Sequence, residues 1–142
     1  MIFSDQVLRL GRYVEAERLV SVAERTAPAD DVRAQARWRR ARARLQVAAG
    51  ATDRAVVLAS EEVSLIARCE APNLHADALV DLAEVLRAAG REGDAVAALG
   101  EAVRRYGSKG NVVCARAAAD LLAAAQENVR TGSARDGARS PA

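Results

Sequence analysis

Residues 85–103 read VLRAAGREGDAVAALGEAV, and residues 45–63 repeat the same pattern as LQVAAGATDRAVVLASEEV. A weaker third copy, QVLRLGRYVEAERLVSVAE, occupies residues 6–24. Each copy has a glycine followed five residues later by an alanine, and the glycines Gly11, Gly50 and Gly90 lie 39 and 40 residues apart. A period of this length is typical of stacked pairs of helices.

The composition favours helices and a protein of one domain. The chain has 142 residues, few aromatic residues (3%), three prolines and a net charge of +2. Alanine, leucine, arginine and glutamate are good helix formers, and the β-branched alternation of a sheet is lacking. The near-balanced charge does not favour nucleic-acid binding. No apolar run is long enough for a membrane span, and no secretory signal is recognisable, so we expect a cytoplasmic protein.

The apolar periodicity predicts seven helices, at about 3–10, 13–26, 31–49, 52–70, 74–89, 92–106 and 112–128. We group them into repeats at about 1–28, 31–70 and 74–107, followed by a capping helix at 111–128. These elements make a helical repeat domain over residues 1–129. Residues 130–142 have no apolar periodicity, which predicts a disordered tail.

Each predicted helix has an apolar stripe that defines its expected core face. The stripe of helix 31–49 is Ala34, Trp38, Ala41, Leu45 and Ala48, and that of the last helix is Val113, Ala117, Leu121 and Ala124, with Leu122. The small residues Ala16, Ala55 and Ala95 are expected where the two helices of a pair approach most closely. Because one pair cannot bury both apolar faces, we expect an all-α, right-handed superhelical stack of antiparallel hairpins.

Residues 79–106 resemble a tetratricopeptide repeat. With Gly90 at the turn, Leu79 falls on the family's usual tryptophan, Leu82–Ala83 on its Leu-Gly pair and Leu86 on its first tyrosine. Positions of the second helix are matched by Ala95, Leu99 and Ala102, whereas the closing proline is missing. The unit around Gly50 departs further, since Glu62 stands where the family has alanine. The resemblance implies a protein-binding fold of the tetratricopeptide type.

A narrower resemblance covers most of residues 6–126. The order of alanine-rich helices, together with Tyr106, Lys109, Gly110 and Asn111, is similar to the C-terminal repeats of large actinobacterial regulators. In those proteins a cyclase or a LuxR-type DNA-binding domain precedes an AAA-type ATPase and the repeats. The resemblance implies either the C-terminal end of such a regulator or a stand-alone relative.

Two sets of residues are candidate partner-binding sites. Arginines line one side of helix 31–49 at Arg33, Arg37, Arg40 and Arg44, with Arg39 and Arg42 at another edge. Such a stripe either clamps carboxylates or phosphates, or pairs with acids on neighbouring helices. Nucleic-acid binding is a third interpretation, which is disfavoured because no aromatic residues are interleaved with the arginines. The tetratricopeptide resemblance implies a concave groove lined by Arg39 of the middle repeat and by Asp77, Val80, Glu84 and Arg87 of the last repeat.

Catalytic and cofactor-binding motifs are absent from the sequence. There is no phosphate-binding glycine loop, and His75 is the single histidine. The cysteines Cys69 and Cys114 lack partners at ligand spacing, so we expect buried free thiols and no zinc. The doublets Asp30–Asp31 and Glu61–Glu62 are explained by capping or solvation. We therefore expect no enzyme, metal or cofactor.

The sequence thus favours a non-catalytic protein–protein interaction module whose groove binds a helix or an extended peptide, with an acidic segment as one expected ligand. The alternative is a regulatory or sensing segment of a larger signalling or transcriptional regulator. A homodimer formed through apolar faces at the N-terminal end is a further expectation.

Overall fold

A computed structural model describes residues 2–138, with side chains described from residue 8 to residue 137. This part of the chain contains six α-helices and no β-strand, which confirms the predicted all-α class. The helices are α1 (Ile2–Thr26), α2 (Val32–Ala48), α3 (Thr52–Ala67), α4 (Pro72–Ala88), α5 (Glu92–Ser108) and α6 (Val112–Ala138).

The helices belong to two compact units, residues 1–69 with α1 to α3 and residues 70–142 with α4 to α6. In the first unit α2 packs against both α1 and α3, and in the second unit α5 packs against both α4 and α6. Short connections at 49–51, 89–91 and 109–111 reverse the chain, so consecutive helices within each unit run antiparallel.

The turns after α2, α4 and α5 share one main-chain geometry. Gly50, Gly90 and Gly110 have φ angles of 80°, 76° and 70°. At the first turn the N–H of Ala51 donates to the carbonyl of Gln46 at 2.8 Å, and the other two turns form the equivalent bond at 2.8 Å and 2.9 Å. This is the Schellman arrangement, in which glycine adopts the left-handed region without strain. The main-chain N–H group that follows the glycine then donates to a carbonyl at the helix end that would otherwise lack a partner.

The prediction of a turn at Gly11 is wrong, because α1 runs without interruption through the predicted stub 3–10 and helix 13–26. The number of helices is therefore six within residues 2–138, not seven. Gly50 and Gly90 are followed by helix starts with an acid in the first turn, Asp53 and Asp94, which suits the helix dipole. Gly11 is likewise followed by an arginine and, four residues later, by the acid Glu15, so these residues do not set it apart from Gly90. The helical hydrogen-bond ladder nevertheless continues past Gly11, at a cost of about 1 kcal/mol.

Side chains and proline mark several helix starts. The carboxylate of Asp31 accepts a hydrogen bond from the N–H of Ala34 at 3.0 Å and caps α2. Pro72 begins α4, where its missing N–H is harmless. Asn111 accepts from the N–H of Cys114 at 3.2 Å at the start of α6, which gives this residue of the predicted loop a capping role.

The core of the second unit follows the predicted positions on α4 and α5. Leu79, Ala83 and Leu86 of α4 are buried, as are Ala95, Leu99, Ala102 and Tyr106 of α5. Leu82 is only half-buried. Alanine at the contact lets the two helix backbones approach closely, and Leu99 fills the space between them.

The predicted core faces of α2 and α6 are wrong, because other residues of these two helices are the buried ones. The buried residues of α2 are Ala36 and Ala43, while its predicted stripe is half-buried, apart from exposed Ala48. In α6 the buried residues are Ala118 and Ala125, and Leu122 is half-buried, while the other four stripe residues are exposed. Both helices have alanine on several sides, so the apolar period does not single out one face.

Two further predictions are corrected by the described residues. Helix α6 continues to Ala138, whereas we predicted an end at 128 and a disordered tail over 130–142. No proline interrupts this stretch before residue 138, and arginine and alanine favour helix. Residues 139–142 lie outside the described residues. Ala55 and Ala95 are fully buried, as predicted for the close helix contacts, but Ala16 is half-buried.

The left-handed glycine turns generate a prediction. Replacing Gly90 by alanine should lower the free energy of unfolding by about 1 kcal/mol, because a side chain is strained at this φ although the added Cβ meets no atom within 4 Å. The measurement is chemical denaturation followed by circular dichroism. Gly100→Ala is the matched control: Gly100 lies within helix α5, so the same change should raise stability by about 0.5–1 kcal/mol. Equal effects of the two substitutions would contradict the assignment of the turn.

Candidate functional site

The predicted partner-binding residues lie on two helices, one in each unit. On α2, Arg39 is half-buried, whereas Arg37, Arg40 and Arg44 are exposed. On α4, Val80 and Arg87 are half-buried, whereas Asp77 and Glu84 are exposed. The two sets lie in different units of the structure, and Arg39 borders a pocket of substantial size.

This pocket lies on α2 and α3 of the first unit and has a volume of about 560 Å³. Its lining combines apolar, hydroxyl and charged side chains: Arg39, Val56, Val57, Ser60, Glu61, Ser64, Leu65 and Arg68. Val57 is 57% exposed, so an apolar side chain lies open at this surface. A pocket of this volume accepts one or two side chains of a partner.

Arg39 is held in place at the edge of the pocket. Its Nε donates to Glu61 Oε2 at 2.8 Å across the α2–α3 contact, and its Nη1 donates to the carbonyl and to the side-chain Oε1 of Gln35, each at 2.9 Å. The guanidinium also lies 4.3 Å from the ring centroid of Trp38. These contacts fix the side chain in one geometry, which lowers the entropy cost of using it to bind a partner.

Arg42 serves the structure of the first unit. Its side chain is 12% exposed and forms ion pairs with Glu17 and Glu24 of α1, with a further hydrogen bond to Ser21 at 3.1 Å. Burial alone would lower the pKa of Arg42, but the hydrogen bonds and charges of the two glutamates outweigh it and raise that pKa. Arg39 and Arg42 thus pair with acids of neighbouring helices, which is one of the interpretations of the arginine stripe.

In the second unit, the predicted groove residues Val80, Glu84 and Arg87 border a cleft with Ala83, Leu99 and Leu121. The cleft has a volume of about 20 Å³, which is room for about one water molecule. Arg87 Nε lies 3.1 Å from Glu92 Oε2, and Asn128 Nδ2 donates to Glu92 Oε1 at 3.3 Å. The charged side chains of this surface contact one another, and they leave no pocket large enough for a side chain of another molecule.

Asp77 is likewise engaged within the second unit. Its carboxylate accepts a hydrogen bond from the hydroxyl of Tyr106, which is buried on α5. Burial, followed by this hydrogen bond, raises the pKa of Tyr106, so the hydroxyl stays protonated and donates at neutral pH. The tyrosine that supports the resemblance to regulators therefore ties α5 to α4.

The metal-ligating residue types histidine and cysteine are few among the described residues, which hold one histidine and two cysteines. Among them, no three His, Cys, Asp or Glu side chains come together as metal ligands. Cys69 and Cys114 are free thiols, and both are half-buried rather than buried as predicted. No helix within residues 2–138 combines the length and the apolarity needed to cross a bilayer.

Sequence reasoning missed the residues that form the pocket floor. The resemblance placed the binding surface on the first helix of each pair, but Val56, Val57 and Leu65 belong to α3, the second helix. A signal was present in the sequence: Val56 and Val57 lie between the buried positions Ala55 and Ala59 and add apolar surface beyond one stripe.

No protein-family model, curated protein or solved structure matches this chain. The resemblance to tetratricopeptide repeats and to actinobacterial regulators thus stays a prediction from the sequence.

The Arg42 contacts predict a role in stability. Arg42→Gln should lower the free energy of unfolding by about 1–2 kcal/mol, because it removes two ion pairs and the packing of the arginine stem. Arg37→Gln, an exposed change on the same helix, should stay within about 0.5 kcal/mol of the wild type. Urea denaturation measures both, and hydrogen exchange should show faster exchange in α1 for Arg42→Gln only. Similar losses for the two variants would contradict the role of Arg42.

His75 predicts a pH dependence of stability. Burial, together with the nearby charge of Arg105, lowers the pKa of His75 below its ordinary 6.5, while Glu101 opposes the shift. The unfolded chain therefore binds the proton at higher pH than the folded chain, and stability falls as the pH decreases through 6.5. Denaturation between pH ~7.5 and pH ~5.5 should show this loss, above the range in which carboxylates titrate.

His75→Gln should remove most of this dependence, because His75 is the single histidine of the sequence. Asn73→Gln, an exposed change in the same turn of α4, serves as the control and should keep the wild-type slope. An unchanged slope in His75→Gln would show that other groups cause the effect.

Proposed function

We propose that this protein is a non-catalytic protein-binding module and that the pocket on α2 and α3 receives a partner peptide or helix. The pocket of about 560 Å³ carries this proposal. Its apolar surface from Val56, Val57 and Leu65 lies open, and burying it under a partner side chain releases about 25 cal/mol per Å² of apolar area.

The charges around the pocket define the chemistry of the partner. Arg68 is exposed at the rim, and Arg39 is fixed by Glu61 at the opposite helix. An arginine at the rim of an apolar pocket attracts a carboxylate placed next to the docking apolar side chain. The proposed ligand is therefore a segment that carries a large apolar residue beside aspartate or glutamate.

The proposed architecture is a tetratricopeptide-like, right-handed stack of helical hairpins. The repeated glycine turns, the alanines at the α2–α3 and α4–α5 contacts and the antiparallel order of the helices support this interpretation. In the second unit, Val80, Glu84 and Arg87 form a secondary contact surface, because their cleft is too small to take up a side chain.

A displayed library of random peptides tests the proposed function with the full chain as bait. Selected peptides should be enriched in a large apolar residue next to a carboxylate. Val57→Asp should weaken binding of a selected peptide about tenfold or more, because it places a charge in the apolar floor. Arg68→Glu should weaken it by a smaller factor, and added salt should diminish that difference.

Arg54→Glu is the matched control, since Arg54 is exposed on α3 but does not line the pocket. It should bind the selected peptides like the wild type. Arg87→Glu tests the second unit and should also have little effect. A library without enrichment, or binding that is insensitive to Val57→Asp, would contradict the proposal.

A further inference from the structure

Helix α1 carries an apolar surface on the side turned away from α2. Among its described side chains only Val20 is buried, and Glu17, Ser21 and Glu24 reach Arg42 of α2. The large apolar residues Leu8, Val14, Leu19 and Val22 are between 42% and 61% exposed. At about 3.6 residues per turn these four fall within one half of the helix circumference, whereas the exposed Leu10 lies opposite Leu19. A cluster of this kind on one helix marks an interaction surface.

A notch interrupts this surface at Gly11. Gly11, Val14, Glu15 and Arg18 line a pocket of about 230 Å³ on α1 alone. A Cβ added to Gly11 would meet no atom within 4 Å, so the space above this position is open. An apolar side chain from outside fits into it between Val14 and the stems of the two charged residues.

The spacing along α1 identifies which occupant fits. Leu8, Gly11, Glu15, Arg18, Val22 and Arg25 follow one another at intervals of three and four residues and form a single seam. When a second α1 lies antiparallel with the two-fold axis between residues 16 and 17, Gly11 faces Val22 and Glu15 faces Arg18 of the other copy. Each contact then occurs twice, as an isologous interface requires.

We propose that the protein forms an antiparallel homodimer through α1, with Val22 of each copy in the Gly11 notch of the other. The central Glu15–Arg18 pairs select the antiparallel arrangement, because a parallel pairing in register would place like charges opposite each other. Val14 and Leu19 flank the seam and are shielded by the second copy. This interface is separate from the pocket on α2 and α3, so it stands independently of the proposed function.

The first experiment fills the notch. Gly11→Leu should stabilise α1, because leucine favours helix over glycine, and should weaken the dimer about tenfold or more by blocking Val22. Light scattering coupled to gel filtration over a wide dilution series measures the dissociation constant, and denaturation reports the fold. Gly132→Leu, the same change at an exposed position of α6, is the control and should leave the dissociation constant unchanged.

The second experiment tests the direction of pairing. Glu15→Arg and Arg18→Glu should each weaken the homodimer about tenfold, because each places like charges opposite each other twice. A mixture of the two variants should form a heterodimer with affinity restored, since both arginines of the first variant then face glutamates of the second. Arg116→Glu, an exposed reversal on α6, should leave dimerisation unchanged.

Three results would overturn the proposal. A monomeric wild type at every concentration would show that α1 serves a different protein partner or another segment of a longer chain. A dimer that Gly11→Leu leaves intact would place the interface elsewhere. Charge-reversed variants that fail to restore each other on mixing would exclude the antiparallel register.

Discussion

Close contact between helices at alanine is the constraint on which both units depend. Twelve of the nineteen apolar residues that are buried in the described chain are alanine, and Leu99 is the one large side chain that is fully enclosed there. Alanine brings little apolar area into the core, so cohesion has to come from short distances between helix backbones and the many weak contacts that these permit. The other seven buried apolar residues, among them Leu79, Leu86 and Tyr106, fill the space that the alanines leave.

Large apolar side chains also lie on the surface of the protein. Valine and leucine lie at the outside, as Val57 does in the pocket and Leu19 does on α1. The pocket on α2 and α3 and the proposed dimer seam both contain such exposed apolar side chains.

The sequence predicted the parts of the fold in which one residue type has a specific physical role. Gly50 and Gly90 ended helices as predicted, because the left-handed turn excludes most other residues. Gly11 has the same spacing in the sequence but lies inside helix α1, so a glycine at this spacing does not by itself predict the end of a helix. The predictions of the core faces of α2 and α6 were wrong for a related reason. When alanine appears on every side of a helix, the apolar periodicity does not show which side packs against a neighbouring helix.

The candidate site was less accessible from the sequence than the helices were. The stripe of arginines was visible, but the acids that engage Arg42 come from α1 and the one that engages Arg39 comes from α3. Such pairings depend on the rotation of each helix about its axis. That rotation was the quantity that the alanine-rich pattern left undetermined, so the pocket floor on α3 was missed as well.

The glycine turns have a consequence for how such a chain can change. Each turn is closed by main-chain hydrogen bonds of its own six residues and requires one glycine, with no help from a distant side chain. Each of the hairpins α2–α3 and α4–α5 therefore contains its own complete turn. Duplication, deletion or exchange of a hairpin would leave the neighbouring turns intact, so the length of the protein and the surfaces it carries can evolve independently of the way its helices are joined.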